Sequence, residues 1–304
     1  MSMSRPSFRA APAKVQVSAS SANLGPGFDA LGLALEMFDV LAAQVADEKC
    51  LEVDIAGEGS EELRRDGKNL VVKSMNIAFD HMGGRPRGLR LSCANSIPHS
   101  RGLGSSSAAI VGGMALARAL VLGGQERLPD EKLLQLATEI EGHPDNVAAA
   151  LYGGATIAWS SEEGARAVKI SPHPDLSATA FVPMSGISTT KARRLLPEMV
   201  PHADAARNVG RAALLVEAIE HHPEFLFDAT EDSLHQQYRR EAMPRSISLV
   251  AKLRSSGFAA FVSGAGPTVL VLHTSGDNQN FTDFSGNSFQ VMNLDIARGG
   301  VEVG

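Results

Sequence analysis

The sequence has little cysteine, few aromatic residues and no excess of positive charge. Its 304 residues include only Cys50 and Cys93 as cysteines, and aromatic residues make up 5%. The two cysteines lack metal-ligand spacing, and two reduced, buried thiols are favoured over a disulfide. The formal net charge of −6 argues against nucleic acid or an anionic membrane as the main partner.

Long apolar segments are missing as well. No stretch approaches the roughly 18 apolar residues of a membrane-spanning helix, and residues 1–12 lack the apolar core of a signal peptide. These absences predict a cytoplasmic protein without a membrane partner. The composition, 44% hydrophobic and 20% charged, suffices for a full core. The length suggests two domains or one large one.

The most informative stretch is Ile97–Leu120, a loop rich in glycine and serine followed by a helix pattern of small residues. Gly102 and Gly104 allow a tight turn and a close approach to a ligand. The serines at 105–107 are good capping residues for the helix that follows. Free N–H groups at a helix N-terminus suit an anion, above all phosphate. A mere helix start remains the alternative for the isolated glycine–serine string.

Two familiar phosphate loops are excluded. A Walker loop needs lysine after its glycines, and no lysine stands here. A dinucleotide fingerprint needs a third glycine, and position 107 is serine. The phosphate loop predicted here is therefore of another kind.

Three further segments contain candidate site residues. Three glycines and one proline predict a loop over 21–34, in which Asn23 and Asp29 are polar; turn formation alone is the alternative. A second glycine loop, Ser263–Thr268, is either a tight hairpin or a close approach of backbone to phosphate. Asp145 is adjacent to Asn146, and helix capping alone would also explain this pair.

Together, Ser18–Phe28, Gly102–Ser107 and Ser263–Thr268 resemble the signature motifs of the GHMP kinases, in the order of that family. The motifs span most of the chain. The resemblance implies an α+β fold of two domains, an ATP-binding domain over 1–168 and a ferredoxin-like domain over 169–304. It also implies a left-handed βαβ crossover in the first domain, against the usual right-handed rule, and a cleft between the domains where ATP and its acceptor meet.

Within the family, the strings at 21–33, 143–148, 188–197 and 238–244 resemble the members that phosphorylate homoserine. This implies ATP-dependent transfer to the hydroxyl of L-homoserine, a step of threonine synthesis. Two other interpretations stay open. One is a GHMP kinase with a mevalonate-type or sugar acceptor, and the other is a nucleotide-binding regulator without catalytic activity. A homodimer is also open, although the sequence does not locate its interface.

The resemblance assigns roles that suit this acceptor. Arg193 and Arg239 would hold the carboxylate, since guanidinium grips it with two prongs. Solvated surface is the alternative for Arg193. Asp29 would pair with the ammonium, which mevalonate lacks. The predicted substrate-binding residues are Asn23, Asp29, His143, Asn146, Thr189, Arg193 and Arg239.

For ATP, the resemblance implies that residues 101–107 hold the β- and γ-phosphates and that Asn69 meets the adenine or ribose. Mg²⁺ would be bound by Ser106 and Glu139, with Glu141 as the alternative, because hard oxygen ligands suit this ion. The predicted ATP-binding residues are Asn69, Pro98, Arg101, Gly102, Leu103, Gly104, Ser105, Ser106, Ser107, Gly264 and Gly266.

The proton acceptor is the least defined part of the predicted site. The position that carries an aspartate in several family members corresponds here to Asn146, and an amide cannot act as a base. Asp145 is the adjacent carboxylate. We therefore hypothesise that no dedicated base exists and that the hydroxyl proton leaves to the γ-phosphate. Asn146, Asp145 and Arg193 are the catalytic candidates.

Overall fold

The computed structural model describes residues 4–187, 189–274 and 281–304, which build two β-sheets packed against helices. The first sheet and its helices come mainly from the N-terminal half of the chain. Its strands are β1 (Ala13–Asn23), β2 (Gly27–Ala46), β3 (Leu51–Gly57), β4 (Gly88–Asn95), β5 (Ala155–Ser161) and β6 (Gly164–Ile170). Its helices are α1 (Leu70–His81), α2 (Ser105–Leu120), α3 (Gly124–Arg127), α4 (Asp130–Glu141) and α5 (Asp145–Tyr152).

The second sheet is ferredoxin-like, as the resemblance implies. Its strands are β7 (Leu176–Pro183), β8 (Ala259–Val262), β9 (Val269–Thr274) and β10 (Phe289–Asp295). They lie in the order β10-β7-β9-β8 with antiparallel neighbours, which is the arrangement of a split βαβ fold. Its helices are α6 (Thr189–Arg193), α7 (His202–Glu220), α8 (Leu226–Ala229), α9 (Pro244–Ser255) and α10 (Thr282–Ser285).

The strands of the first sheet precede those of the second along the chain, with one exception. The predicted boundary after residue 168 falls inside β6, and the connection to the second sheet runs over 171–175. The chain then returns at its end, where β11 (Glu302–Val303) pairs antiparallel with β1. The first sheet therefore has seven strands, in the order β11-β1-β2-β4-β3, with β5 paired to β2 and β6 to β5.

Helix α2 lies in the middle of the first domain and is buried on almost all sides. Its small residues make this possible. A Cβ at Gly113 would lie 2.8 Å from the carbonyl oxygen of Val71 in α1, and a Cβ at Gly112 would lie 2.7 Å from Leu41 in β2. The glycines therefore let the helix pack closely against both neighbours, which fixes the position of its N-terminus.

The prediction of a loop over 21–34 is wrong for most of its length. β1 continues to Asn23 and β2 begins at Gly27, so only three residues form the turn. Leu31 and Leu33 are buried on β2 because alternate side chains of this strand face the core. The glycines instead serve close packing: a Cβ at Gly32 would lie 2.3 Å from the carbonyl oxygen of Asp145.

Both cysteines are free; Cys93 is buried, and burial raises the pKa of its thiol to about 12, whereas Cys50 is half-buried. In the described part of the chain, no helix combines the length and the apolar character that crossing a bilayer would require.

Candidate functional site

Three segments that are distant in sequence meet at the cleft between the two sheets. The backbone N–H of Ser20 donates a hydrogen bond to the Leu103 carbonyl at 3.0 Å. From the second domain, the hydroxyl of Ser263 donates to the Gly102 carbonyl at 2.6 Å. The predicted motifs therefore contact one another directly, and they line a cavity of about 310 Å³.

The glycines of the phosphate loop are required by its geometry. Gly102 and Gly104 both have left-handed backbones, with φ of 84° and 70°. A Cβ at Gly104 would lie 2.1 Å from Ser20 Oγ, and one at Gly102 would lie 2.5 Å from the Ser263 carbonyl oxygen. Any other residue would be strained and would push the neighbouring segments away.

The serines that follow do not cap helix α2, contrary to prediction. The helix begins at Ser105, and its N-cap is Gly104, which has no side-chain hydrogen bond. Ser106 and Ser107 instead donate their hydroxyls to one oxygen of Glu141, at 2.6 and 3.0 Å. The first N–H groups of α2 are consequently left without a side-chain cap, which suits an anion.

The predicted metal ligand Glu139 does not lie in the cavity. Glu139 is exposed, whereas Glu141 lines the cavity and contacts both serine hydroxyls. Two residues along a helix correspond to a rotation of about 200°, so the two carboxylates of α4 face opposite ways. Across the described ranges, no group of three or more His, Cys, Asp or Glu side chains could hold a metal ion. The geometry therefore brings Glu141, the alternative, to Ser106.

The other residues predicted to bind ATP divide into two groups. Gly264 lines the cavity together with the loop glycines. The guanidinium of Arg101 instead donates to the backbone carbonyls of His99, Pro183 and Met184, so it joins the loop to the end of β7 and does not line the cavity. Three further predicted residues, Pro98, Leu103 and Gly266, do not line the cavity, and the Leu103 side chain is fully buried in the core.

A second cavity of about 170 Å³ lies on the other side of the loop. Its wall is mainly apolar, and Ser105 and Ser106 line both cavities. The predicted Asn69 lies there, but its amide oxygen caps α1 by accepting from the Val71 N–H at 2.9 Å. Asp39, which sequence reasoning missed, also lines it, and burial raises the pKa of this carboxyl.

Two predicted substrate ligands contact each other. Asp29 and Arg193 form a two-pronged ion pair across the cleft, with N–O distances of 2.6 and 3.0 Å. The hydrogen bonds that Arg193 donates to Asp29 raise the pKa of Arg193. Asn23 supports this arrangement, since its side-chain oxygen accepts from the Asp29 N–H at 3.0 Å. The anionic and cationic partners predicted for the substrate thus neutralise each other here.

Arg239 is the most deeply buried cation of the site, with 1% of its surface exposed. Its Nη1 donates to His235 Nδ1 at 3.0 Å and to the Gly264 carbonyl at 3.1 Å. Within the described ranges its Nε is buried and has no hydrogen-bond partner. Burial, followed by the charge of Arg193, lowers the pKa of Arg239 to about 10. A buried guanidinium with unused donors favours an anionic ligand.

His143, Asp145 and Asn146 form a connected group at the start of α5. His143 Nδ1 lies 2.6 Å from Asp145 Oδ1, which also accepts the Asn146 N–H at 2.7 Å. The Asn146 amide donates to Ser20 Oγ at 2.9 Å. Burial lowers the pKa of His143, but the hydrogen bond and charge of Asp145 together with Glu141 outweigh it, and the net pKa is raised.

The cavity also contains the start of α6. The side chain of the predicted Thr189 lies outside the described residues, whereas the neighbouring Thr190 lines the cavity. Phe28, for which the only sequence signal is its motif, lies near two guanidinium groups. The Cζ atoms of Arg193 and Arg239 are each 5.8 Å from its ring centroid, a distance typical of cation–π contacts.

Comparisons with known proteins agree with this geometry. The family model for the GHMP kinases N terminal domain matches residues 69–154, and that for the GHMP kinases C terminal domain matches residues 205–283. A homoserine kinase of Streptomyces coelicolor is 54% identical over 301 residues, which cover 99% of this chain and 97% of that protein.

Solved structures show the same fold. The crystal structure of homoserine kinase from Cytophaga hutchinsonii has a TM-score of 0.82 at 24% identity, and the match covers 98% of each chain. A putative homoserine kinase from Listeria monocytogenes has a TM-score of 0.74 at 28% identity, over 96% of this chain and 99% of that one.

The steric role of Gly104 is testable with a matched control. Gly123 is also the N-cap of a helix with nearly the same φ, 68°, but the nearest atom to an added Cβ is a flexible glutamate oxygen at 3.5 Å. Gly123→Ala should carry only the backbone strain, about 1 kcal/mol. Gly104→Ala should lower the free energy of unfolding by a further 1–3 kcal/mol or so, because it adds overpacking. Denaturant unfolding measures both; equal losses would contradict the tight contact with Ser20.

Proposed function

The chain belongs to the GHMP kinase family, among its homoserine kinases, and from that premise we propose that its cleft transfers the γ-phosphoryl group of ATP to the side-chain hydroxyl of L-homoserine. The observation that carries this proposal is the buried, incompletely bonded guanidinium of Arg239 in the same cavity as the phosphate loop. One wall suits phosphate and the opposite wall suits a carboxylate. The product would be O-phospho-L-homoserine, used in threonine synthesis in the cytoplasm.

ATP would bind along the loop between the two cavities. The uncapped N–H groups at the start of α2 suit the β- and γ-phosphates. The second, mainly apolar cavity suits the adenosine, because it opens on the same serines, 105 and 106. Asn69 lies in its wall but already caps α1, so we expect at most a supporting role for its amide.

The part of the cleft that would hold the acceptor favours a substrate with one positive and one negative charge. When an amino acid enters the cleft, its ammonium would replace Arg193 beside Asp29, and its carboxylate would replace Asp29 beside Arg193. Neither of these half-buried charges would then lose its partner, which keeps the electrostatic cost of binding low. Arg239, whose Nε has no hydrogen-bond partner among the described residues, would place a second guanidinium beside the same carboxylate. Mevalonate has no ammonium and would leave Asp29 unpaired.

The oxygens around Glu141 fit Mg²⁺. A carboxylate and a hydroxyl from Ser106, next to the phosphate site, match an ion that keeps several waters and binds through one or two carboxylates and the substrate phosphates. Mg²⁺ would supply charge neutralisation of the phosphates. Glu141 and Ser106 would hold it at the N-terminus of α2, which positions the phosphates relative to the acceptor hydroxyl.

For the proton we propose that no residue acts as a dedicated base. One oxygen of Asp145 is engaged by both His143 and the Asn146 N–H, and Asp145 is 1% exposed. Asp145 would orient His143, and Asn146 would orient the hydroxyl. The proton would leave to the γ-phosphate, as suits a reaction that needs positioning more than covalent help.

The acceptor can be identified directly. ADP formation is measured by a coupled assay with L-homoserine, mevalonate and galactose presented separately. We expect L-homoserine to exceed the others in kcat/KM by at least about 100-fold, because a site built for two charges rejects acceptors that leave them unpaired. Faster turnover of mevalonate or galactose would indicate another GHMP kinase. ATP binding without any turnover would indicate a regulator.

The choice between two glutamates can be tested by a matched pair. Glu141→Gln should raise the Mg²⁺ concentration for half-maximal ATP turnover about tenfold or more, because it removes a charged oxygen ligand. Glu139→Gln, on the exposed side of the same helix, should change it by less than about twofold. A larger effect of the Glu139 change would restore the original prediction and reject Glu141.

The absence of a base predicts a modest effect of Asp145→Asn. We expect kcat to fall by less than about 100-fold, below the range of a lost general base. Since Asp145 is the strongest group that raises the pKa of His143, this pKa should fall, which NMR titration measures. If kcat fell by several orders of magnitude while folding and binding of both substrates stayed normal, the base-free hypothesis would be wrong.

A further inference from the structure

A second buried side chain, His235, lies directly behind Arg239. Both residues are 1% exposed. His235 Nδ1 lies 3.0 Å from Arg239 Nη1, and His235 Nε2 lies 2.8 Å from the Gly25 carbonyl oxygen. The imidazole therefore connects the turn between β1 and β2 to the guanidinium.

The chemistry of these neighbours sets the tautomer of the imidazole. A guanidinium only donates, so Nδ1 must accept. A carbonyl oxygen only accepts, so Nε2 must carry the proton that it donates to Gly25. A protonated ring would place an N–H against the N–H of Arg239. The neutral Nε2–H form is consequently the one form that satisfies both contacts.

The contacts of Nη1 determine which donors of Arg239 remain. Its two hydrogens go to His235 Nδ1 and to the Gly264 carbonyl. In the described part of the chain, Nε and Nη2 make no hydrogen bond. These two nitrogens form one edge of the planar guanidinium, with parallel donors at the spacing of carboxylate oxygens.

We propose that His235 is a positioning residue for acceptor recognition, which holds Nη1 of Arg239 so that the Nε–Nη2 edge is kept for the substrate carboxylate. This inference rests on the proposed function, which assigns Arg239 to that carboxylate. Without an acceptor at Nδ1, the guanidinium would turn to satisfy its donors elsewhere, and the edge would be lost.

The surroundings keep His235 in place and neutral. Asp232 accepts the backbone N–H of His235 at 3.2 Å, and its other oxygen lies 3.5 Å from Nε2. The ring stacks on Phe28 at 5.2 Å. The charged groups that face it are Asp232, Arg239 and Asp29; burial is the largest influence and lowers the pKa of His235. The ring therefore stays neutral through the physiological pH range.

Two substitutions of His235 test the roles of its two ring nitrogens separately. In His235→Asn the amide oxygen can take the place of Nδ1, so the acceptor for Arg239 is restored. In His235→Gln the amide nitrogen can take the place of Nε2, so the donor to Gly25 is restored and the acceptor for Arg239 is lost. Both remove the ring, which makes each the control of the other for loss of packing against Phe28.

The readout is the affinity for two fragments of the acceptor, measured by calorimetry with a non-hydrolysable ATP analogue bound. 4-Hydroxybutyrate has the carboxylate and no ammonium, and 3-aminopropan-1-ol has the ammonium and no carboxylate. We expect His235→Gln to weaken the binding of 4-hydroxybutyrate about tenfold or more relative to the binding of 3-aminopropan-1-ol. This is the effect of losing a hydrogen bond to a charged group. His235→Asn should recover most of that ratio. The ratio within one protein does not depend on its folded fraction.

The outcomes distinguish the role of His235 from the role of Arg239. Equal weakening of the binding of both fragments in both variants would show that His235 has only a packing role and would overturn the inference. This holds even if the unmodified chain turns over L-homoserine. If Arg239→Leu left the affinity for 4-hydroxybutyrate unchanged, the assignment of Arg239 to the carboxylate would be overturned. A selective loss in His235→Gln that His235→Asn recovers would support both.

Discussion

The hydrogen bonds that tie three distant glycine-containing segments together are the constraint on which the site depends. Ser20 from β1, Gly102 from the phosphate loop and Ser263 from the second domain lie in one network of short contacts. Each contact needs the backbone to approach closely, which is why glycines occupy the positions where a Cβ would collide. The N-terminus of α2 is thereby fixed relative to the guanidinium groups of the second domain. A catalyst of phosphoryl transfer works mainly by such positioning.

Buried charge is the second determinant. The cleft holds two arginines near one phenylalanine ring, and of these two only Arg193 has a carboxylate partner among the described residues. Arg239 is held by a neutral imidazole and a carbonyl, so its charge is solvated incompletely. A buried ion that lacks a counter-ion raises the free energy of the ligand-free state. Binding of an anion relieves this cost, which favours the carboxylate of an amino acid over a neutral acceptor.

The sequence predicted the parts of the site that depend on backbone shape and missed those that depend on side-chain direction. Glycines 102 and 104 were identified because their spacing reflects a conformation that only glycine adopts readily. Glu139 was predicted as the metal ligand, but Glu141 is the carboxylate beside Ser106, because the phase of α4 relative to the loop decides which of the two faces the cavity. Arg101 was predicted to bind ATP, but its guanidinium donates to backbone carbonyls, and nothing in a sequence distinguishes these two environments. His235 gave no signal, since a buried histidine reads as an ordinary core residue.

The short strand β11 has a mechanical consequence. Because the chain re-enters the first sheet at its end, the second domain is tethered by two covalent crossings, at 171–175 and 296–301, and not by one linker. A body joined at two points has fewer ways to rotate against its neighbour than a body joined at one, so the return of the chain restricts the second domain relative to the first. The second covalent connection therefore acts together with the hydrogen bonds across the cleft to keep Arg239 in register with the N-terminus of α2.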